Sequence, residues 1–113
     1  MSRVIIITGA NNGIGLALTQ SLLEMGDRVA AVDLTGENLR QTNPNLRYYT
    51  CDVTDPMRVG QVVGEVVNTW GGVDVLINNA CIAPFKPFIE CIVSFRYIGV
   101  IIKNYITTYF WFM

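Results

Sequence analysis

The sequence contains no histidine, few charged residues and no long uncharged hydrophobic run. Its eight Lys and Arg residues and nine Asp and Glu residues give a net charge of −1, so the basic patch of a nucleic-acid-binding protein is missing. In the hydrophobic C-terminal part, Lys86, Glu90, Arg96 and Lys103 keep the uncharged stretches below the roughly 18 residues that a membrane span needs. The apolar run after Arg3 is also too short for a secretory signal. We therefore expect a cytoplasmic protein with no nucleic-acid partner and no membrane span.

The three cysteines, Cys51, Cys81 and Cys91, form no CxxC pair. An odd number without metal-ligand spacing argues against a disulfide framework or a zinc site. We expect buried free thiols in a reducing compartment.

Phenylalanine is absent from residues 1–80, and the composition changes after that point. Residues 1–80 hold nine of the ten glycines and thirteen of the seventeen charges, but only three of the twelve aromatic residues. Such a contrast in a short chain indicates a regular domain joined to a segment of another kind. We predict a domain over residues 1–80, followed by an atypical hydrophobic and aromatic-rich tail over residues 81–113.

Runs of β-branched residues alternate with helical patterns in the first 80 residues. Apolar stripes at helical spacing (Ile14, Leu18, Leu22 and Met25; then Val59 to Trp70) separate short hydrophobic runs. The pattern predicts strands over residues 4–7, 28–33, 46–51 and 73–78, helices over 14–25 and 56–70, and a short helix over 36–41. This order is typical of an α/β fold, a doubly wound parallel sheet with flanking helices and strand order 3-2-1-4.

A glycine-rich segment joins the first predicted strand to the first predicted helix, with the spacing G-x-x-x-G-x-G. A phosphate at that helix start would meet unpaired backbone N–H groups and the positive end of the helix dipole. A Cβ there would hold the backbone away from a pyrophosphate. An ordinary glycine-rich turn is the alternative, which the strand, loop and helix context disfavours. The residues predicted to bind a dinucleotide here are Gly9, Asn11, Asn12, Gly13, Ile14 and Gly15.

Asp33 ends the second predicted strand, eighteen residues after Gly15. A carboxylate there can accept hydrogen bonds from both adenosine ribose hydroxyls, and it would repel the 2′-phosphate of NADP. No basic residue stands in the glycine loop or directly after this strand. Asp33 therefore predicts NAD in preference to NADP, with a solvated acid at a strand end as the alternative.

Two further motifs end predicted strands: Asp52-Val53 follows the third, and Asn78-Asn79-Ala80 closes the fourth. Together with Thr8 and the glycine spacing, they resemble the short-chain dehydrogenase/reductase family over residues 3–80. The resemblance implies a Rossmann-like fold whose first half, residues 1–80, binds NAD(P). It also implies that Asp52 contacts the adenine amino group and Val53 packs on the ring. Asn79 and Ala80 would lie along the nicotinamide ribose, and Asn78 would tie neighbouring strands together.

The resemblance further implies an oxidoreductase that transfers hydride between a nicotinamide and an alcohol or carbonyl substrate. The family uses a tyrosine as general acid/base, with a lysine four residues later, and a serine that orients the substrate. No tyrosine of this sequence has a lysine at that distance. Cys81 also replaces the glycine of the family's Asn-Asn-Ala-Gly signature. We assign no catalytic residue, and we expect a truncated, cofactor-binding portion that is inactive alone.

The sequence leaves other interpretations of the chain open. It could be a non-catalytic dinucleotide-binding module, a subunit completed by a homo-oligomer or partner chain, or an unstable truncation product. Partner completion is motivated by the fourth strand, Val75 to Ile77, whose outer edge is expected to be unpaired. Residues 90–113 are explained either by a shifted reading frame or retained non-coding sequence, or by a diverged family helix.

Overall fold

The computed structural model describes residues 2–79 in full and the backbone of residues 97–102 and 105–111. Side chains are described for residues 2–79. The elements are β1 (Val4–Thr8), α1 (Gly13–Glu24), β2 (Arg28–Asp33), β3 (Leu46–Thr50), α2 (Pro56–Trp70), β4 (Val75–Asn78), β5 (Tyr97–Ile102) and β6 (Tyr105–Trp111).

The first four strands form a parallel sheet in the order β3-β2-β1-β4. β1 lies between β2 and β4, with Ile5 opposite Val29 on one side and Val75 on the other. All five residues of β1 are buried, as expected for a β-branched run covered on both faces. The predicted strand order is therefore confirmed.

Alternate residues of β1 enter two separate hydrophobic clusters. Ile5 and Ile7 point to the face covered by α1, where Leu23 completes the packing. Val4 and Ile6 point to the opposite face, which is covered by α2. Because side chains alternate along a strand, one continuous apolar run holds a helix on each side of the sheet. This two-sided core is the doubly wound arrangement that the sequence predicts.

The ends of α2 are fixed by local sequence. The Asp55 side chain accepts hydrogen bonds from the backbone N–H groups of Met57 and Arg58, and Pro56 occupies the first turn. Gly71 ends the helix with a φ of 86°, a left-handed conformation that favours glycine. Neither described helix is long and apolar enough to cross a membrane.

The buried face of α1 differs from the predicted stripe. Gly15, Thr19 and Leu23 are buried, whereas Ile14 is 63% and Met25 is 69% exposed. Ile14 belongs to the first turn and Met25 follows the last, so neither is covered by the sheet. The apolar periodicity predicted the position of the helix, but it wrongly assigned both end residues of the stripe to the surface that packs on the sheet.

The predicted short helix over 36–41 is wrong. The segment contains a turn in which the Leu39 N–H donates to the Gly36 carbonyl. The preceding N–H, that of Asn38, donates instead to the Asn11 side chain at 2.8 Å. A Cβ on Gly36 would lie 2.6 Å from the Tyr48 ring. These contacts with β3 and the glycine loop replace the local bonding of a helix.

The fourth strand is not an open edge, contrary to expectation. β5 pairs antiparallel with β4, from Val75 opposite Ile102 to Asn78 opposite Gly99, and β6 pairs antiparallel with β5. The predicted tail therefore contributes two strands, consistent with its β-branched and aromatic composition. Cys81 and Cys91 lie outside the described residues, whereas Cys51 is a buried free thiol as expected.

A buried carboxylate ties the amino ends of β1 and β2 together. Asp27 accepts hydrogen bonds from the Arg3 backbone N–H and guanidinium, at 2.8 to 3.2 Å. The Asp27 side chain is only 5% exposed. Hydrogen bonding by Arg3 lowers the pKa of Asp27 against the opposing effect of burial.

Shortening Val66 should destabilise the fold much more than shortening its neighbour Val67. Val66 is fully buried against the sheet, and Val67 is 42% exposed. We expect Val66→Ala to lower the free energy of unfolding by about 2 kcal/mol because it leaves a cavity. Val67→Ala, the matched control on the same helix, should change it by less than about 0.5 kcal/mol. Urea denaturation measures both, and equal losses would contradict the assigned packing of α2.

Replacing Asp27 should make the free energy of unfolding less dependent on pH in the acidic range. Since folding lowers the pKa of Asp27, its contribution is complete above the unfolded value of about 4 and is lost as pH falls through the folded value. Asp27→Asn should therefore be less stable than wild type at pH 7, and the difference should shrink at pH 3. Urea denaturation at the two pH values tests this, and a pH-independent difference would refute it.

Candidate functional site

A cavity of about 310 Å³ opens at the carboxyl ends of the parallel strands. This edge is where open α/β sheets bind ligands. The cavity is lined by Gly9, Asn12, Gly13, Val32, Asp33, Leu34, Cys51, Asp52, Val53 and Asn79. Loops from β1, β2, β3 and β4 thus meet around one space.

The glycine loop forms one wall of the cavity and leads directly into α1. Gly9 and Gly13 have φ values of 66° and 53°, which L side chains rarely adopt. Asn12 is the N-cap residue of α1, and its side chain makes no capping hydrogen bond. The Asn12 side chain therefore leaves the first-turn N–H groups of α1 uncapped.

Gly15 is required for a different reason, the close approach of α1 to the end of β1. A Cβ on Gly15 would collide with the Gly9 carbonyl and lie 2.7 Å from Asn79 Nδ2. Asn79 fixes this junction, since its Nδ2 donates to the Gly9 carbonyl at 3.3 Å and its backbone N–H donates to Thr8 Oγ1 at 3.0 Å. Asn79 therefore joins β4 to β1 through one backbone and one side-chain hydrogen bond.

Two backbone N–H groups hold the Asp33 carboxylate at the cavity wall. Asn11 donates to Oδ2 at 2.9 Å, and Leu34 donates to Oδ1 at 2.7 Å. Each oxygen keeps a further lone pair, so the carboxylate can accept hydrogen bonds from a ligand in a fixed orientation.

The loop after β2 is bonded to the glycine loop through Asn11, which is fully buried. Its Nδ2 donates to Thr35 Oγ1 at 3.2 Å. The backbone N–H and Nδ2 of Asn38 donate to Asn11 Oδ1 and the Asn11 carbonyl, at 2.8 and 3.0 Å. Hydrogen bonds from Thr35 and Asn11 also help to lower the pKa of the Glu37 carboxyl, after that of its own backbone. The network offsets the cost of burying an amide side chain.

Asp52 and Val53 follow β3 and line the far side of the cavity. Oδ1 of Asp52 accepts hydrogen bonds from the Thr54 backbone N–H at 2.9 Å and hydroxyl at 2.6 Å. These bonds lower the pKa of Asp52, so its carboxylate is charged at neutral pH. The neighbouring Cys51 is buried, and desolvation raises the pKa of its thiol.

The structure brings most of the predicted site residues to one place. Those that line the cavity are Gly9, Asn12, Gly13, Asp33, Asp52, Val53 and Asn79. Asn11 and Gly15 are buried behind it, Ile14 is exposed, and Ala80 lies outside the described residues. Sequence reasoning missed Val32, Leu34 and Cys51. Each is adjacent in sequence to a predicted acid, and that adjacency is the signal that could have found them.

A second cavity of about 300 Å³ lies between α2 and the sheet. Its walls are almost entirely apolar and include Ile6, Val59, Val62 and Leu76. Val32, Cys51 and Val53 separate it from the first cavity, since they line both. Of these two cavities in the described part of the chain, the first, which we name the polar cavity, has the loop N–H groups and carboxylates that a charged, hydroxyl-rich ligand requires.

The family model of the short chain dehydrogenases matches residues 3–110 of the chain. Among curated proteins, 2-(R)-hydroxypropyl-CoM dehydrogenase of Xanthobacter autotrophicus is 41% identical over 88 residues, which cover 71% of this chain and 35% of that protein. The chain spans about a third of the length of the curated relatives it matches, from 29% to 36% for the first three.

Solved structures share the same fold. A short chain dehydrogenase from Leptospira borgpetersenii with bound NAD+ has a TM-score of 0.68 and 24% identity, covering 83% of this chain and 39% of that one. A variant of ElxO with NADPH bound has a TM-score of 0.66 and 27% identity, covering 80% of this chain and 39% of that one. The shared architecture therefore occurs with either nicotinamide dinucleotide.

Adding a methyl group at Gly15 should destabilise the junction between β1 and α1. The new Cβ would overlap the Gly9 carbonyl, and overpacking of this kind costs about 1 to 3 kcal/mol. Gly64→Ala is the matched control, because a Cβ on that α2 residue meets nothing within 4 Å and alanine favours helix. Thermal and urea denaturation should show a loss for Gly15→Ala and none for Gly64→Ala. A Gly15→Ala variant as stable as wild type would contradict the close approach.

Proposed function

The chain belongs to the short-chain dehydrogenase family, and from that premise we propose that its polar cavity binds a nicotinamide dinucleotide, NAD in preference to NADP. The observation that carries the proposal is the Asp33 carboxylate, held by two backbone N–H groups in the wall of a cavity that also contains the glycine loop. The residues present fit such a cofactor at its phosphate, ribose and adenine ends.

The phosphate end fits the glycine loop. Gly13 supplies a backbone conformation that other residues rarely adopt, and Gly15 lets α1 begin directly above β1. The first-turn N–H groups of α1 would bind the pyrophosphate, with the positive end of the helix dipole. Gly9, Asn12 and Ile14 would contribute through backbone atoms at this turn. Asn11 lies behind the cavity wall, and its backbone N–H would orient the Asp33 carboxylate.

The ribose end fits Asp33. A carboxylate with both oxygens anchored would accept the two hydroxyl protons of the adenosine ribose, whereas a 2′-phosphate would bring a second negative charge to the same position. The nearby Glu37 carboxyl has a lowered pKa and adds to the negative potential. These charges support NAD over NADP.

The adenine end fits Asp52 and Val53, which stand together on the cavity wall. The charged Asp52 carboxylate would accept a hydrogen bond from the adenine amino group, and Val53 would pack against the ring. Asn79, and Ala80 after it, would lie along the nicotinamide ribose. Since Asn79 already bonds to Gly9 and Thr8, its position would couple that end to the glycine loop.

The reaction class that we infer for the protein is hydride transfer between the nicotinamide and an alcohol or carbonyl carbon. The bound cofactor supplies the hydride acceptor or donor, and the residues of this chain bind and orient it. No tyrosine of the sequence has a lysine four residues later. We therefore propose that these 113 residues form the cofactor-binding portion, and that alone they do not turn over an alcohol.

Removing the charge of Asp33 should change cofactor preference. We expect wild type to bind NAD and ADP with measurable affinity and to bind NADP at least tenfold more weakly. Asp33→Asn should lose about tenfold in NAD affinity, the value of one charged hydrogen bond, while its NADP affinity should stay constant or rise. Isothermal titration calorimetry with NAD, NADP and ADP measures these constants.

Glu65→Gln is the matched control, because it removes one negative charge from an exposed position on α2. It should leave the affinities for NAD and NADP within twofold of wild type. A wild-type chain that binds NADP more tightly than NAD would contradict the preference, and one that binds neither would refute the proposed function.

A further inference from the structure

The N-cap residue of α1 does not cap its helix. Asparagine is among the residues most favoured at this position, because its side-chain oxygen accepts a hydrogen bond from an N–H of the first turn. Asn12 has the extended backbone of an N-cap residue, with φ −142° and ψ 160°, but makes no such bond. Its Oδ1 accepts instead from Asn38 Nδ2, at 3.2 Å, across the loop after β2.

Asn38 is itself held in place by two further hydrogen bonds. Its backbone N–H donates to Asn11 Oδ1 at 2.8 Å, and its Nδ2 donates to the Asn11 carbonyl at 3.0 Å. Asn11 is fully buried and also donates to Asp33 and Thr35. The Asn38 amide is therefore aimed at Asn12 by a rigid partner.

A capping side chain and a phosphate would compete for the same donors, the first-turn N–H groups of α1. We propose that Asn38 is a positioning residue that holds the Asn12 side chain away from these groups and so keeps the pyrophosphate site open. The inference rests on the proposed function, because it assigns the open N–H groups to a dinucleotide phosphate. Without the Asn38 side chain, Asn12 is free to turn onto the helix and occupy them.

The test is a double-mutant cycle on the full 113-residue chain, with ADP and adenosine as probes. Asn38→Ala removes both side-chain bonds but keeps the backbone N–H that donates to Asn11 Oδ1. It should weaken ADP binding about fivefold, the effect of one capping bond, and leave adenosine binding within twofold. In an Asn12→Ala background, where no capping side chain remains, the same substitution should change ADP affinity less than twofold. Asn68→Ala, an exposed asparagine on α2, is the matched control.

Amide hydrogen exchange provides a readout that needs no ligand. Asn38→Ala should slow exchange of the Ile14 or Gly15 N–H several-fold as Asn12 caps the helix, and Asn12→Ala should reverse this. Equal losses of ADP and adenosine affinity, an ADP loss that persists in the Asn12→Ala background, or unchanged exchange would overturn the inference. A wild-type chain that binds neither NAD nor ADP would instead refute the proposed function, whatever the exchange rates show.

Discussion

The close approach of α1 to the end of β1 is the constraint on which the site depends. Gly15 lies against the Gly9 carbonyl with no space for a Cβ between them, so the first helical turn begins directly at the strand end. Asn79 bonds to Gly9 and Thr8 and brings β4 to the same point. The first-turn N–H groups of α1, which the Asn12 side chain leaves uncapped, therefore stand at the sheet edge where β2 and β3 also present their acids. A side chain at Gly15 would separate the two halves of this arrangement.

The second requirement is that a buried polar residue, Asn11, has hydrogen-bond partners for its amide. Asn11 is fully enclosed, and its backbone and side chain bond to Asp33, Thr35 and Asn38. An unbonded amide in this buried position would cost free energy. The hydrogen bonds of Asn11 therefore fix the glycine loop and the loop after β2 in one spatial relation. That relation orients the Asp33 carboxylate toward the cavity. The proposed cofactor preference and the arrangement of the two loops thus depend on the same residue, Asn11, through its backbone N–H and its side chain.

Local sequence predicted the elements of the sheet well, because the forces that form them are local. β-branched runs marked the strands, and Asp55 with Pro56 marked the start of α2, as the structure confirms. The motifs at the strand ends lie close together because the carboxyl ends of parallel strands meet at one edge of the sheet. What could not be predicted depends on distant partners. The Asn38 N–H donates to Asn11, 27 positions away, instead of to a neighbour within a helix. β5 pairs with β4 in a register that no local pattern specifies.

We propose that the polar cavity at the carboxyl edge of the sheet, rather than the apolar cavity beside α2, binds the dinucleotide. Titration of the isotopically labelled chain with NAD, followed residue by residue by amide NMR, tests it most directly. We expect chemical-shift changes concentrated at Gly13, Asp33 and Asp52, with little change at Val62 and Val66. Changes centred on α2, or no saturable change at the glycine loop, would contradict it.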